Sequence, residues 1–77
     1  EEVDKDVSLE MERAIILNGG FHSYHEGYVV LLEEVDELWD EVKAHEHDPN
    51  KIYKEAIQVI AMARELALCA MHDIKEE

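Results

Sequence analysis

The sequence predicts an all-α domain: a short first helix followed by a long antiparallel helical hairpin, completing a four-helix-bundle-type core by dimerisation or as a dimer of dimers. Three observations carry this. Apolar residues recur at intervals of three and four rather than two. The credible breaks are few: Asn18-Gly19-Gly20, Gly27 and Asp48-Pro49-Asn50. From Ala56 to Met71, finally, apolar residues run nearly all the way round the last helix, interrupted by Gln58, Arg64 and Glu65. Such a helix must be covered on several sides, and two short partners in the same chain cannot cover it, so a copy of the chain is expected against it.

The first helix is expected over about 6–18, docking by one stripe of Val7, Met11, Ala14 and Ile15 and stopping at Asn18-Gly19, residue types that tolerate left-handed backbone. The second is expected over 23–44. Ser23-Tyr24-His25-Glu26 has the form of a capping box, and Tyr28, Leu31, Leu32, Val35, Leu38, Trp39 and Val42 form one apolar stripe. Gly27 in its first turns is a mild cost. The third is expected over 49–73, with Asp48 as N-cap and Pro49 at the first helical position. The 77 residues make one domain, 1–77, of a size that has difficulty burying enough apolar surface alone, so a partner chain or a bound metal is plausible.

Twenty Asp and Glu against seven Lys and Arg give a formal charge of −13. That balance repels duplex nucleic acid and anionic membranes. Cys69 is the one cysteine, sits in an apolar run and is expected to be a small buried hydrophobe. No signal peptide and no apolar stretch of bilayer-spanning length (about 20 residues) is present, which makes the expectation soluble, intracellular and cytoplasmic.

The acids of the second helix fall into two groups at about 100° per residue. Glu33, Asp36 and Asp40 lie on one side of the apolar stripe; Glu34, Glu37 and Glu41 lie on the other. The short linker His45-Glu46-His47-Asp48 forces the two long helices antiparallel. Glu37 and Glu55 stand nine residues either side of Glu46, and Glu34 and Gln58 stand twelve either side, so Glu37 should face Glu55 and Glu34 should face Gln58. Three carboxylates and one amide between packed helices repel one another unless neutralised, and all-oxygen ligation without His or Cys suits Mg²⁺ or Mn²⁺. An acid run on a helix is ordinarily a solvated face, and by spacing alone both readings stand.

At these residues the chain resembles the MazG-like family of all-α nucleoside triphosphate pyrophosphohydrolases, whose mark is a Glu-Glu-x-x-Glu helix followed one hairpin later by Glu-x-x-Asp. The first motif is Glu33-Glu34-Val35-Asp36-Glu37; the second is Glu55-Ala56-Ile57-Gln58, with glutamine where the family usually has aspartate. The wording "HEGYVVLLEEVDELWDEVK" and "KEAIQVIAMARELA" is similar to a phage- and bacteria-type subgroup, from about Phe21 to Leu68, while the first helix matches only loosely. The resemblance implies Mg²⁺-dependent hydrolysis of an NTP or dNTP to the monophosphate and pyrophosphate, a nucleotide-pool house-cleaning reaction in a homodimer or homotetramer. It implies Mg²⁺ held by Glu34, Glu37 and Glu55, with a glutamine carbonyl at Gln58 able to ligate but adding no charge.

Around this centre, Glu33 is the candidate to orient or deprotonate an attacking water, and Glu33 or Glu41 the candidate to make up for the missing aspartate. Lys54, with Lys51 beside it, is the candidate phosphate contact. Trp39 is expected in the core, with stacking on a base as its alternative. Among the histidines, His45 and His47 are expected to cap or solvate the hairpin turn, and His22 and His25 flank the second helix. No Glu-x-x-His pair exists for a di-iron bundle, and Cys69-x-x-His72 is a poor zinc pair without partners. The rival to an enzyme is a non-catalytic helical oligomerisation or interaction module that binds nucleotide or a protein partner.

Overall fold

The computed structural model describes residues 1–76; Glu77, the last residue of the expected domain, lies outside them. The described residues form three helices: α1 (Glu2–Asn18), α2 (Tyr24–Val42) and α3 (Pro49–Glu76). All-α architecture follows directly from the three-and-four periodicity. α1 starts about a turn earlier than expected, with Glu2 and Asp4 in its first turn, where acids complement the helix dipole. α3 likewise runs a few residues past Asp73, to Glu76.

The caps do what their residue types allow. α1 stops at Gly19, whose φ of 72° lies in the left-handed region and whose N–H reaches Ile15 O at 2.8 Å. At the start of α2, Ser23 Oγ accepts from the Glu26 N–H at 3.0 Å. The glutamate reaches back one residue further than a capping box requires, accepting from the His22 N–H at 2.9 Å. That bond and the His22 side chain hold the Glu26 carboxyl below the usual range. Asp48 Oδ1 accepts from the Asn50 N–H at 3.0 Å to open α3, and His47 Nε2 lies 2.9 Å from Val42 O at the end of α2.

α3 is the spine. α1 and α2 each pack on it, while the backbones of α1 and α2 do not come close to one another among the described residues. The core lies where α1 meets α3: Val7, Met11, Ile57, Ala61 and Met62 are buried, with Ala14, Phe21, Val30 and Leu31 against them. Two side-chain bonds clip α1 down, Tyr53 Oη to Asp6 Oδ2 at 2.5 Å and Arg64 to Ser8 Oγ at 3.4 Å. The first holds the Asp6 carboxyl down and pushes the Tyr53 phenol up to about 12.

α2 docks differently from the expectation. Its covered positions are Gly27, Val30, Leu31, Glu34, Leu38 and Glu41, one stripe at helical spacing. Tyr28, Leu32, Val35, Trp39 and Val42 point outward, and Trp39 is 56% exposed. The core role expected for Trp39 is therefore corrected: within one chain the apolar stripe is rotated away from α3. Gly27 fixes the rotation. An added Cβ there would stand 2.7 Å from Leu66 Cδ1 and 2.8 Å from Phe21 Cδ2, so the glycine is a close-approach point. Ile15 is likewise exposed rather than part of the α1 docking stripe.

Candidate metal and phosphate centre

Because α2 turns its Val30 and Glu34 arc inward, the carboxylates of Glu34 and Glu37 meet that of Glu55 on α3. One oxygen from each lies within 4.8 Å of the others. Glu34 and Glu55 are half-buried and Glu37 is exposed at the rim. The amide of Gln58 sits among them. In the orientation its surroundings satisfy, its nitrogen donates to Glu34 Oε2 at 2.7 Å and to Glu55 Oε2 at 3.2 Å. The hairpin thus pairs Glu34 with Gln58, and Glu37 with Glu55, as the symmetry about Glu46 requires.

Electrostatics mark Glu34 as the strained member. Burial first, and then a hydrogen bond and repulsion from Glu37 with further repulsion from Glu55 and Glu10, push its carboxyl up from 4.5 to about 7. Glu55 is raised for the same reasons, burial ahead of Glu37, with Lys54 acting in the opposite direction. Carboxylates crowded this closely, with Glu34 and Glu55 raised, fit a hard divalent cation, whose charge would remove the repulsion while their oxygens supplied its ligands. Oxygen donors without nitrogen or sulfur fit Mg²⁺ or Mn²⁺.

The other candidates divide. Glu41 is half-buried and close enough to Glu55 to raise its pKa. Lys54 is exposed and lines a hollow of about 300 Å³ together with Arg13, Glu10 and Tyr53. Glu33 is exposed and outside the three-carboxylate group, and Trp39 points away from it. Asp36 and Asp40 are solvated, Asp40 pairing with Lys43 at 3.3 Å.

Two residues to which the sequence reading gave no role are Arg13 and Glu65. Arg13 of α1 donates to Glu10 from Nη2 at 2.7 Å and from Nε at 3.2 Å, along one edge of its guanidinium, and lies within electrostatic range of Glu34. Like Lys54, which acts on Glu55, it is a cation within range of the carboxylates, here from the α1 side. Glu65, two turns along α3 from Gln58, is a buried acid at 6% exposure, with Oε1 lacking any partner. Only the interruption of an apolar run by Arg64 and Glu65 signalled it. Arg13 carried no signal, because the first helix could not be registered against the hairpin.

Comparison of the chain with protein families, with curated proteins and with solved structures finds no match.

Proposed function

We propose that the chain is a Mg²⁺-dependent nucleoside triphosphate pyrophosphohydrolase of MazG-like type, releasing pyrophosphate from an NTP or dNTP. The observation that carries the reading is the convergence of Glu34, Glu37 and Glu55, with Gln58 among them, within electrostatic range of Arg13. Glu34, Glu37 and Glu55 would hold the cation, with Gln58 as a neutral fourth donor. Bound Mg²⁺ supplies charge neutralisation for the phosphate chain and acidifies water.

The chain's own groups do the rest. Arg13 and Lys54 orient phosphate oxygens from opposite helices. Glu41, beside Glu55, is better placed than Glu33 to accept a proton from water at the centre. Exposed apolar faces on α2 (Leu32, Val35, Trp39) and α3 (Ile60, Leu68, Met71) support a homodimer or homotetramer, since so small a core leaves much of the apolar surface in water. They equally support the second reading, a helical interaction module without catalysis.

The test is to incubate the protein with each of the eight common NTPs and dNTPs and Mg²⁺ and to assay pyrophosphate. Release from at least one substrate, with Mg²⁺ raising the melting temperature, is expected. No release at high protein concentration together with no thermal response to Mg²⁺ leaves the interaction module as the reading.

A further inference from the structure

Glu65 costs the fold stability, and its Oε1 takes no hydrogen bond in return. It is 6% exposed, its Oε1 has no hydrogen-bond partner, and burial raises its pKa. An unpartnered carboxyl held among Met62, Phe21 and Leu68 would be replaced by an apolar residue if packing were its only role. Its surroundings give it another. Since the backbones of α1 and α2 stay apart where both cross α3, a channel runs between them over α3. Its floor is Met62 and Glu65, its walls Ala14 and Asn18 on one side and Val30 on the other, and Phe21 stands at its end, enclosing about 380 Å³. Val30 and Met62 lie one helical turn from Glu34 and Gln58, so the channel begins where the carboxylates end. Beyond Phe21 it meets a larger groove of about 740 Å³ that Glu65 also borders, with Tyr24, His25 and Leu68.

The register is that of a nucleotide. Gln58 and Glu65 are seven residues apart, close to two full turns, which puts them on one face of α3 about 10 Å apart. With phosphates at the carboxylate centre, the sugar passes Val30 and Met62, and the base arrives at Glu65 between the channel wall and Phe21. We infer that Glu65 is the base-reading residue of this channel and that it selects nucleobases carrying an exocyclic amine on their pairing edge over their oxo counterparts. This rests on the nucleotide reading of the carboxylate centre.

The chemistry of the choice is direct. The ionised carboxylate is acceptor-only, and an amine N–H satisfies its Oε1. A base that presents a carbonyl oxygen in place of the amine sets acceptor against acceptor at that position, and only its neighbouring ring N–H, displaced from the amine's place, remains to donate. A site built around a substrate N–H discriminates strongly for this reason. The aromatic ring of Phe21 supplies a stacking surface for either class and does not discriminate between them.

The matched pairs dCTP and dUTP, and dATP and dITP, differ in this substituent, and two readouts keep the inference separable from hydrolysis. In steady-state pyrophosphate release with Mg²⁺, the amino member of each pair should have kcat/KM at least about tenfold higher. Glu65→Gln, whose amide both donates and accepts, should bring each pair within about threefold while the melting temperature holds or rises. Without metal, deoxycytidine should shift the NMR signals of Phe21 and Met62 and deoxyuridine should not, an outcome that requires no turnover. Equal kcat/KM within both pairs would overturn the inference while leaving hydrolysis standing. Unchanged selectivity in Glu65→Gln, or nucleoside shifts that avoid Phe21 and Met62, would overturn it too. If nucleosides bind as described and no triphosphate is cleaved, hydrolysis fails and base reading stands.

Discussion

The two faces of α2 are built the wrong way round for an isolated helix. Its inward face, against α3, carries Glu34 and Glu41 among Val30, Leu31 and Leu38, while its outward face carries Leu32, Val35, Trp39 and Val42. Burial of a carboxylate without a partner is unfavourable, and so is exposure of a contiguous apolar stripe. The proposed function repairs each defect from outside the single chain: a cation at the inward face, a second copy at the outward one. The comparison teaches that hydrophobic periodicity in so small a domain does not by itself say which face a helix turns toward its own chain.

The inward face gives the largest effects. Glu37→Gln removes one ligand at the rim and should lower pyrophosphate release by at least about a hundredfold, with the far-ultraviolet dichroism of the helices unchanged. Loss of helicity in that variant would make the carboxylate a structural group and break the contrast between the faces.

Metal-free stability should then depend on pH with a sign fixed by Glu34. Its folded pKa of about 7 is above the ordinary 4.5, so between those values the native chain holds a proton that the unfolded chain has lost. That contribution is fully present below the unfolded value and is lost as pH rises through the folded one. With Glu55 and Glu65 shifted in the same direction, the melting temperature without metal should fall between pH 5 and pH 8. Glu34 alone accounts for roughly 2 kcal/mol after solvent screening. Saturating Mg²⁺ should remove most of this slope, measured by thermal dichroism at each pH.

Gln58→Glu sharpens the same point with an isosteric change. A fourth carboxylate replaces the amide that donates to Glu34 and Glu55. Metal-free stability at pH 8 should drop by about 1–2 kcal/mol while Mg²⁺ affinity rises, both read from melting curves against Mg²⁺ concentration.

The smallest effect on the folded chain is expected outside. Trp39→Ser, at a position 56% exposed, should change the stability of the single chain by less than about 1 kcal/mol, yet shift sedimentation toward the monomer. An unchanged assembly state would mean that this stripe is not the covered surface.

Much of this was legible in the sequence. Periodicity and the breaks at Asn18-Gly19 and Asp48-Pro49 located three helices, and hairpin symmetry about Glu46 paired Glu34 with Gln58 and Glu37 with Glu55, because a short linker leaves one register. The rotation of α2 was not legible. The apolar stripe argued for packing on α3, and only the tight approach of Leu66 and Phe21 to Gly27 shows which face is inside. Arg13 was hidden because nothing in the sequence sets where α1 lies along α3. Glu65 looked like a gap in an apolar run until its burial was known.

The central claim, that the α2 and α3 carboxylates form a specific cation site rather than an acidic surface, is tested most directly by Mn²⁺ titration followed by electron paramagnetic resonance at moderate salt. A chain of charge −13 attracts cations everywhere, so the shape of the isotherm and its response to mutation decide. The account predicts a saturable component that Glu37→Gln and Glu55→Gln each abolish and that Asp36→Asn leaves intact. Weak, non-saturating binding that falls equally in all three variants would contradict it.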